Sequence, residues 1–431
     1  MQDYVSESLR TPVAGEYDVI VAGAGPAGMG AAIAAGRLGA KVLLVEQTHA
    51  VGGIATTGLM SHWTGSTRGP LYDEMLERAA VPGPEEDGSE PALINPEKLK
   101  LTFLEMLVEA HVDLRLYTFV SGPILEGRRV CGIVTESKNG RQAWRAKVVI
   151  DATGDGDVAA KAGAEFVLGR PDDHGMQPAT VMFKVAGVDM DHAVFPGSFE
   201  TNFEVPEGRI QDLGRKYLKL PTGHVLLYRS TLPGVVTVNM TNLTGVDGTK
   251  VEDLTKAELV CRRQIDEIVD FLRAHVPGYA HCFAISTSSL MGIRETRHFV
   301  GDATITEEDI VEARVFDDWI ATQCNFNFDI HNVSGSGLDA NGAQNEFRSK
   351  GGYTIPYGAL LPKGFEGILL AGRSISGTHK AHSNYRVMPI CVNMGQGAAT
   401  AAVTAIRDGV GLREVDIRKV QASLAKQGVT V

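Results

Sequence analysis

Cysteine is scarce in this chain, and the five present, at positions 131, 261, 282, 324 and 391, form neither a CxxC pair nor a metal-ligand spacing. That excludes a disulfide framework and an iron-sulfur cluster, suits reduced thiols in a cytoplasm, and gives no metal site to expect. Long apolar runs are missing as well. Nothing approaches the roughly 18 consecutive apolar residues of a membrane span. The opening "MQDYVSESLRTPVAG" has neither the basic nor the apolar region of a signal peptide and reads as a polar tail over 1–15. There is no clustered basic stripe either. With 41 Lys and Arg against 52 Asp and Glu the formal net charge is -11, which argues against a nucleic-acid partner. What remains is the expectation of a cytoplasmic protein that acts on a small molecule away from any membrane, with homo-oligomer formation left open.

Glycine, by contrast, is abundant: 49 residues of 431, which implies many tight turns and close backbone approaches. "YDVIVAGAG" (17–25) reads as a buried strand breaking on glycine. "PAGMGAAIAAGRLG" (26–39) follows as a helix of very small residues, and "KVLLVE" (41–46) as the next strand. Strand, glycine turn, helix and strand make a βαβ unit, hence a parallel sheet. A loop-rich stretch at 81–91 precedes a helical pattern over 95–112 and strand character at 113–120, 130–136 and 146–151. From about 165 the style changes: "TVMFKVAGV", "HVLLYRS" and "GVVTVNM" read as strands of a separate antiparallel sheet, covered by an amphipathic helix over 253–276. After a glycine-rich stretch near 335–352, "EGILLAGRSISG" returns to strand-then-glycine character, and "PICVNMGQGAATAAVTAIRDG" to a small-residue helix. The expected fold is α/β: a Rossmann-like dinucleotide domain from 16–164 and 350–431, and an α+β substrate domain with an antiparallel sheet from 165–349.

Gly23-x-Gly25-x-x-Gly28 follows a strand and opens a helix, with Glu46 ending the next strand. In that context the first glycine allows the turn, the second lets backbone approach a pyrophosphate, and the third lets helix and sheet pack closely. Free N–H groups at the helix start attract the phosphates. Glu46 can accept from ribose hydroxyls and would repel a 2′-phosphate. Gly52-Gly53 and "IATTGL" then continue where an NAD domain would proceed to its next helix, which suits a longer ligand.

Three separated segments, "DVIVAGAGPAG", "VVIDATGDGDVA" and "GILLAGRSIS", together resemble FAD-binding proteins of the glutathione-reductase superfamily, nearest to the fumarate reductase branch. More narrowly, "GIRETRHFVGDATITEEDI", "FDIH" and "AHSNYRVMPICVNMGQGAATAA" resemble a family of bacterial FAD-dependent oxidoreductases. The likeness spans most of 17–408 and is weakest over about 165–285, where substrate specificity should lie. By this resemblance Gly23, Gly25 and Gly28 hold the pyrophosphate and Glu46 the adenosine ribose. Val120 sits by the adenine, Ala152, Thr153 and Gly154 line the dinucleotide, and Gly372, Arg373 and Ser374 meet the pyrophosphate or ribityl chain. Pro26, Ala27, Gln47, Gly52, Gly53, Ile54, Thr57 and Met388 complete the cofactor-binding set. No second GxGxxG follows a strand, so an internal NAD(P)H-reduction domain is missing. The electron acceptor or donor, of unknown identity, must then be the substrate, another protein or a diffusible molecule.

Pro389 suits the first turn of a helix. In the related flavoproteins that helix points its N-terminus at the flavin, which would lay the run "THKAHSNYR" (378–386) over or beside the ring. On that reading Arg386 adds positive charge or clamps an anionic substrate, while His379 or His382 titrates as a proton donor or acceptor. Arg294 and His331 are the other catalytic residues that the family pattern implies, so the catalytic set is Arg294, His331, His382 and Arg386. Cys391 is expected to be a small buried residue, and His62 and Trp63 receive no role. The expected activity is that of an FAD-dependent dehydrogenase or oxidase taking hydride from a small hydroxylated or carboxylated substrate. The alternatives are a C=C reductase of fumarate-reductase type and a non-redox FAD- or NAD-binding subunit.

Overall fold

A computed structural model describes residues 5–79, 93–199, 201–339 and 350–431. The loop expected at 81–91 lies outside the described residues, as does most of the glycine-rich stretch near 335–352. Among the described residues no helix is long and apolar enough to cross a membrane.

Six strands form the backbone of the first sheet: β1 (Val13–Ala22), β2 (Val42–Val45), β3 (Asp113–Arg115), β4 (Phe119–Glu126), β5 (Arg129–Ser137) and β6 (Gly140–Asp151). Their order is β3-β2-β1-β6-β5-β4, and the strand Ile368–Leu370 joins β6 from far along the chain. The pairs among β3, β2, β1 and β6 are parallel, and β4-β5-β6 is an antiparallel meander. A second, four-stranded sheet is antiparallel throughout. The expected α/β class with a separate antiparallel sheet is thus what the chain adopts.

Two boundaries move. β1 starts at Val13, inside the expected tail, because the long β6 offers Ala143 as a partner for Val13. The expected strand 113–120 is broken into β3 and β4, with Tyr117 between them at a φ of 53° that no regular strand permits.

β2 and the inner ends of β1, from Val19 to Ala22, and of β6, from Val148 to Ile150, are continuous apolar runs because both faces are covered. The cover over one face explains the small residues of the first helix, α1 (Pro26–Arg37), and of the long C-terminal helix Met388–Asp408. A Cβ on Gly30 would lie 2.3 Å from the Val392 carbonyl oxygen, and one on Gly395 would lie 2.0 Å from that of Ala27. The two helices touch backbone to backbone, which larger residues at these positions would forbid. This contact carries the start of the long helix, at Met388, to the same sheet end as the start of α1.

The second sheet, with strands Phe183–Ala186, Leu227–Arg229, Val236–Val238 and Phe283–Thr287, packs its own core against the helix Val251–His275. Ile265, Ile268, Val269 and Leu272 face that core as their spacing predicts, joined by Cys261 and Phe271. Leu259, an apolar residue of the same helix, is exposed.

Candidate active site

A cavity of about 600 Å³ runs from the ends of β1, β2 and β6 to the inner side of the second sheet. The turn after β1 builds its first wall. Gly23 has a φ of 94°, open to glycine at no steric cost, and a Cβ on Gly28 would lie 1.8 Å from the Gly23 carbonyl oxygen. A Cβ on Gly25 would meet no protein atom within 4 Å, so the space beside that residue belongs to the cavity. Gly25 is the N-cap of α1 and no side chain caps the helix, which leaves its first N–H groups for a ligand.

Glu46 is buried at the end of β2. Its carboxylate accepts from the Ala24 N–H and the Thr48 N–H, both at 2.8 Å, and each oxygen keeps a lone pair for a further donor. At the end of β6, Asp151 accepts from the Thr153 hydroxyl and the Ala159 N–H, which folds "DATGDGD" into a loop that brings Ala152, Thr153 and Gly154 to the cavity. Burial pushes the Asp151 carboxyl up to about 6. Asp155 in the same loop binds Arg373 at 2.7 Å and accepts from the Thr296 hydroxyl at 2.6 Å. Asp155 was missed in the sequence, although it stands inside a motif read there.

The far end is where side chains of opposite charge meet. Arg386 donates from Nη2 to the carbonyl oxygen and to Oδ2 of Asp329, both at 2.9 Å. His331 Nε2 lies 3.3 Å from Asp329 Oδ1. Arg294 donates to the Pro178 carbonyl oxygen at 2.6 Å. Burial first, and the Arg294 charge second, push His331 down to about 4; burial and the Arg386 charge pull Arg294 down to about 10. Burial alone would raise Asp329, but His331, Arg386 and Arg294 hold it well below the usual carboxylate range. The group therefore stands as a carboxylate, a neutral imidazole and two guanidinium ions around one cavity wall.

Aromatic rings close this end. Phe199 meets the His331 and His224 rings edge-on at 5.1 and 4.9 Å, and Tyr228 meets His62 at 4.6 Å. Burial pushes His224 down to about 3 and His62 to about 4, so both are neutral at pH 7. Tyr228 and Asn239, on and beside the antiparallel strands, also line the cavity. They went unnoticed in the sequence, where only strand alternation could have marked them.

The structure brings most of the expected residues together. Gly23, Gly25, Pro26, Ala27, Glu46, Gln47, Gly53, Ile54, Val120, Ala152, Thr153, Gly154, Gly372, Arg373 and Met388 line the cavity, as do Arg294, His331 and Arg386. Gly28, Gly52, Thr57 and Ser374 stand behind its wall. His382 does not reach it. Much of the run expected over or beside the flavin is a helix, His379–Tyr385, capped by the Thr378 hydroxyl, and it buries His382 between His298 and Tyr385. Cys391 does line the cavity, but burial pushes its thiol up to about 12, which leaves it unreactive.

A flavin dinucleotide suits these residues. The cavity offers an uncapped helix start, a buried carboxylate with spare acceptor capacity and the open space beside Gly25. Three buried polar atoms around it, Arg373 Nε, Ser374 Oγ and Arg386 Nε, have no protein partner. Such atoms are costly unless something polar meets them.

Comparison with known proteins agrees. The FAD dependent oxidoreductase family matches residues 18–424. Digeranylgeranylglycerophospholipid reductase 1 of Methanococcoides burtonii is 29% identical over 197 residues, 41% of this chain and 47% of that protein. Digeranylgeranylglycerophospholipid reductase 2 of Methanopyrus kandleri is 29% identical over 220 residues, 45% of this chain and 53% of that one. The chain thus spans about half the length of the curated relatives it matches. A geranylgeranyl bacteriochlorophyll reductase-like protein from Thermoplasma acidophilum shares the fold, with a TM-score of 0.51 at 15% identity over 96% of this chain and 83% of that one. The chain belongs to the FAD dependent oxidoreductase family, and FAD is its cofactor.

Proposed function

We propose that the enzyme moves a hydride between FAD and a small organic substrate carrying a carboxylate or hydroxyl group. The observation that carries this reading is the convergence of Arg294, Arg386, His331 and Asp329 on one cavity wall. FAD, when bound, supplies a two-electron hydride acceptor or donor. Arg294 and Arg386 bind and orient the anionic or polar group of the substrate, Arg386 held in place by Asp329. His331 is neutral near pH 7. With its Nε2–H directed to Asp329, its Nδ1 lone pair takes the hydroxyl proton as the substrate gives up its hydride. Asp329 then stabilises the imidazolium. The acidic product leaves with its negative group still matched by the arginines, and the electrons pass to a diffusible or protein acceptor, in keeping with the absence of a second GxGxxG motif in the sequence.

The names of the archaeal relatives favour a second reading, in which the hydride goes from reduced cofactor to a C=C bond. The arginines serve it as well, holding the polar group of the substrate.

Replacing Arg386 tests the shared part of both readings. Arg386→Ala should lower kcat/KM by at least roughly 10-fold, the worth of a charge-assisted hydrogen bond of about 1.5–3 kcal/mol, while visible FAD absorbance is retained. Unchanged kcat/KM would remove the arginines from the mechanism.

A further inference from the structure

On the other side of the backbone from Arg294, facing away from the cavity, Glu295 gathers two histidines. Its Oε1 lies 2.8 Å from His298 Nε2 and 2.5 Å from His379 Nδ1. The Glu295 side chain is fully buried, and the two imidazoles are 6% and 10% exposed. Their ligand atoms all lie within 4.8 Å of one another. The second carboxylate oxygen of Glu295 is fixed by the Gln177 N–H at 3.1 Å, the kind of outer support that orients a metal-binding carboxylate.

A further imidazole stands beside these groups. His382, 1% exposed, sets its ring against that of His298, with centroids 4.6 Å apart, and its Nδ1 has no partner. Nδ1 of His298 has none either. The cluster thus holds more buried imidazole nitrogens than acceptors and donors to satisfy them. Nothing in the proposed reaction uses it.

We propose that Glu295, His298 and His379 bind a divalent transition cation of the zinc class. Two imidazole nitrogens and a carboxylate oxygen suit such an ion, with water in the fourth position. Tetrahedral bonds of about 2.0–2.1 Å set ligand atoms roughly 3.3 Å apart, so on binding the two Glu295 contacts lengthen by less than about 1 Å and the two histidine nitrogens, within 4.8 Å of each other, settle at the same separation. His379, the least buried of the three, is the side from which it enters. Glu295 and His298 belong to the segment that carries Arg294, and His379 opens the helix that ends just before Arg386. The ion therefore ties together the two segments that supply the arginines. The three positions, 295, 298 and 379, have no spacing that marks a metal site in sequence.

The FAD-loaded protein, purified without metal-affinity resin, is to be dialysed against a chelator and titrated with Zn²⁺ alone by calorimetry, with Tm measured at each metal level. The expected result is saturable binding of about one ion per chain and a Tm that rises with Zn²⁺. Glu295→Gln and the milder His379→Asn should each weaken binding at least about 100-fold while the visible FAD spectrum, as the readout of folding, is retained. If Glu295→Gln loses its FAD, His379→Asn decides. The absence of saturable binding in the wild-type protein, or equal affinity in His379→Asn, would overturn the site. Because the readouts are binding and stability, this outcome is independent of what substrate the enzyme takes.

Discussion

On the proposed function, His331 is free to accept a proton near pH 7 because its surroundings keep it neutral. Burial and the Arg294 charge set its pKa at about 4, so the imidazole is deprotonated above that pH and activity falls as pH drops through it. Removing the cation reverses part of the shift. Arg294→Met should move the acidic limb of the kcat/KM profile to higher pH, toward the ordinary histidine value of about 6.5. A limb that stays in place in Arg294→Met would mean that another group is titrating. Residues of this kind were legible in the sequence only through family likeness. Arg294, His331 and Arg386 carry no local signature, and the pairing of Arg386 with Asp329 joins positions that only the fold brings together. His382 shows the opposite case. A run of polar residues reads as a solvated or ligand-facing loop, yet Thr378 caps a short helix whose inner face is buried against His298, a residue far away in the chain. The Thr378 cap was the one local signal of that helix.

At the scale of elements, the turn between β1 and α1 separates two jobs that glycine does. Gly28 permits the backbone contact that docks α1, and Gly25 leaves room for the ligand. A methyl group at each should therefore fail differently. Gly28→Ala collides with the Gly23 carbonyl oxygen and should lower Tm even in cofactor-free protein. Gly25 has a φ of -71°, which alanine adopts freely, so Gly25→Ala should keep the apo Tm and lose FAD affinity. Fluorescence titration with FAD beside thermal melts of the apo-proteins distinguishes them; equal losses of Tm would contradict the division. These elements were readable in sequence because each constraint is local: small residues after a buried strand, an acidic residue ending the next strand, proline in the first turn of the long helix. The start of β1 and the break at Tyr117 were not, since the partner strand and a single left-handed residue decided them.

Among the described residues, buried His62, His224 and His331 are pushed down to about 4, 3 and 4, and buried His382 is lowered as well. Unfolded histidine titrates near about 6.5. Above that pH neither state is charged and stability is complete; as pH falls toward 4 the unfolded chain takes up protons that the fold refuses. Each histidine then costs roughly 1.4 kcal/mol per pH unit at most. Urea midpoints should accordingly drop between pH 7 and pH 5, and His224→Asn should flatten the drop if it folds. A midpoint constant over that range would show that these sites are not held neutral. His331 lines the cavity, and His62 and His224 touch the rings of Tyr228 and Phe199 that line it.

On the proposed function, the arginine-lined end of the cavity presents a small acidic or hydroxylated molecule for hydride exchange with FAD. The most direct test is to mix the oxidised protein anaerobically with a panel of small hydroxy- and amino-carboxylates and watch the visible flavin bands, in wild type and in Arg386→Ala. The account predicts rapid bleaching by at least one of them, abolished or slowed at least roughly 10-fold by the substitution. No bleaching by any carboxylate, together with reoxidation of the chemically reduced protein by uncharged isoprenoid alkenes at the same rate in both forms, would contradict it.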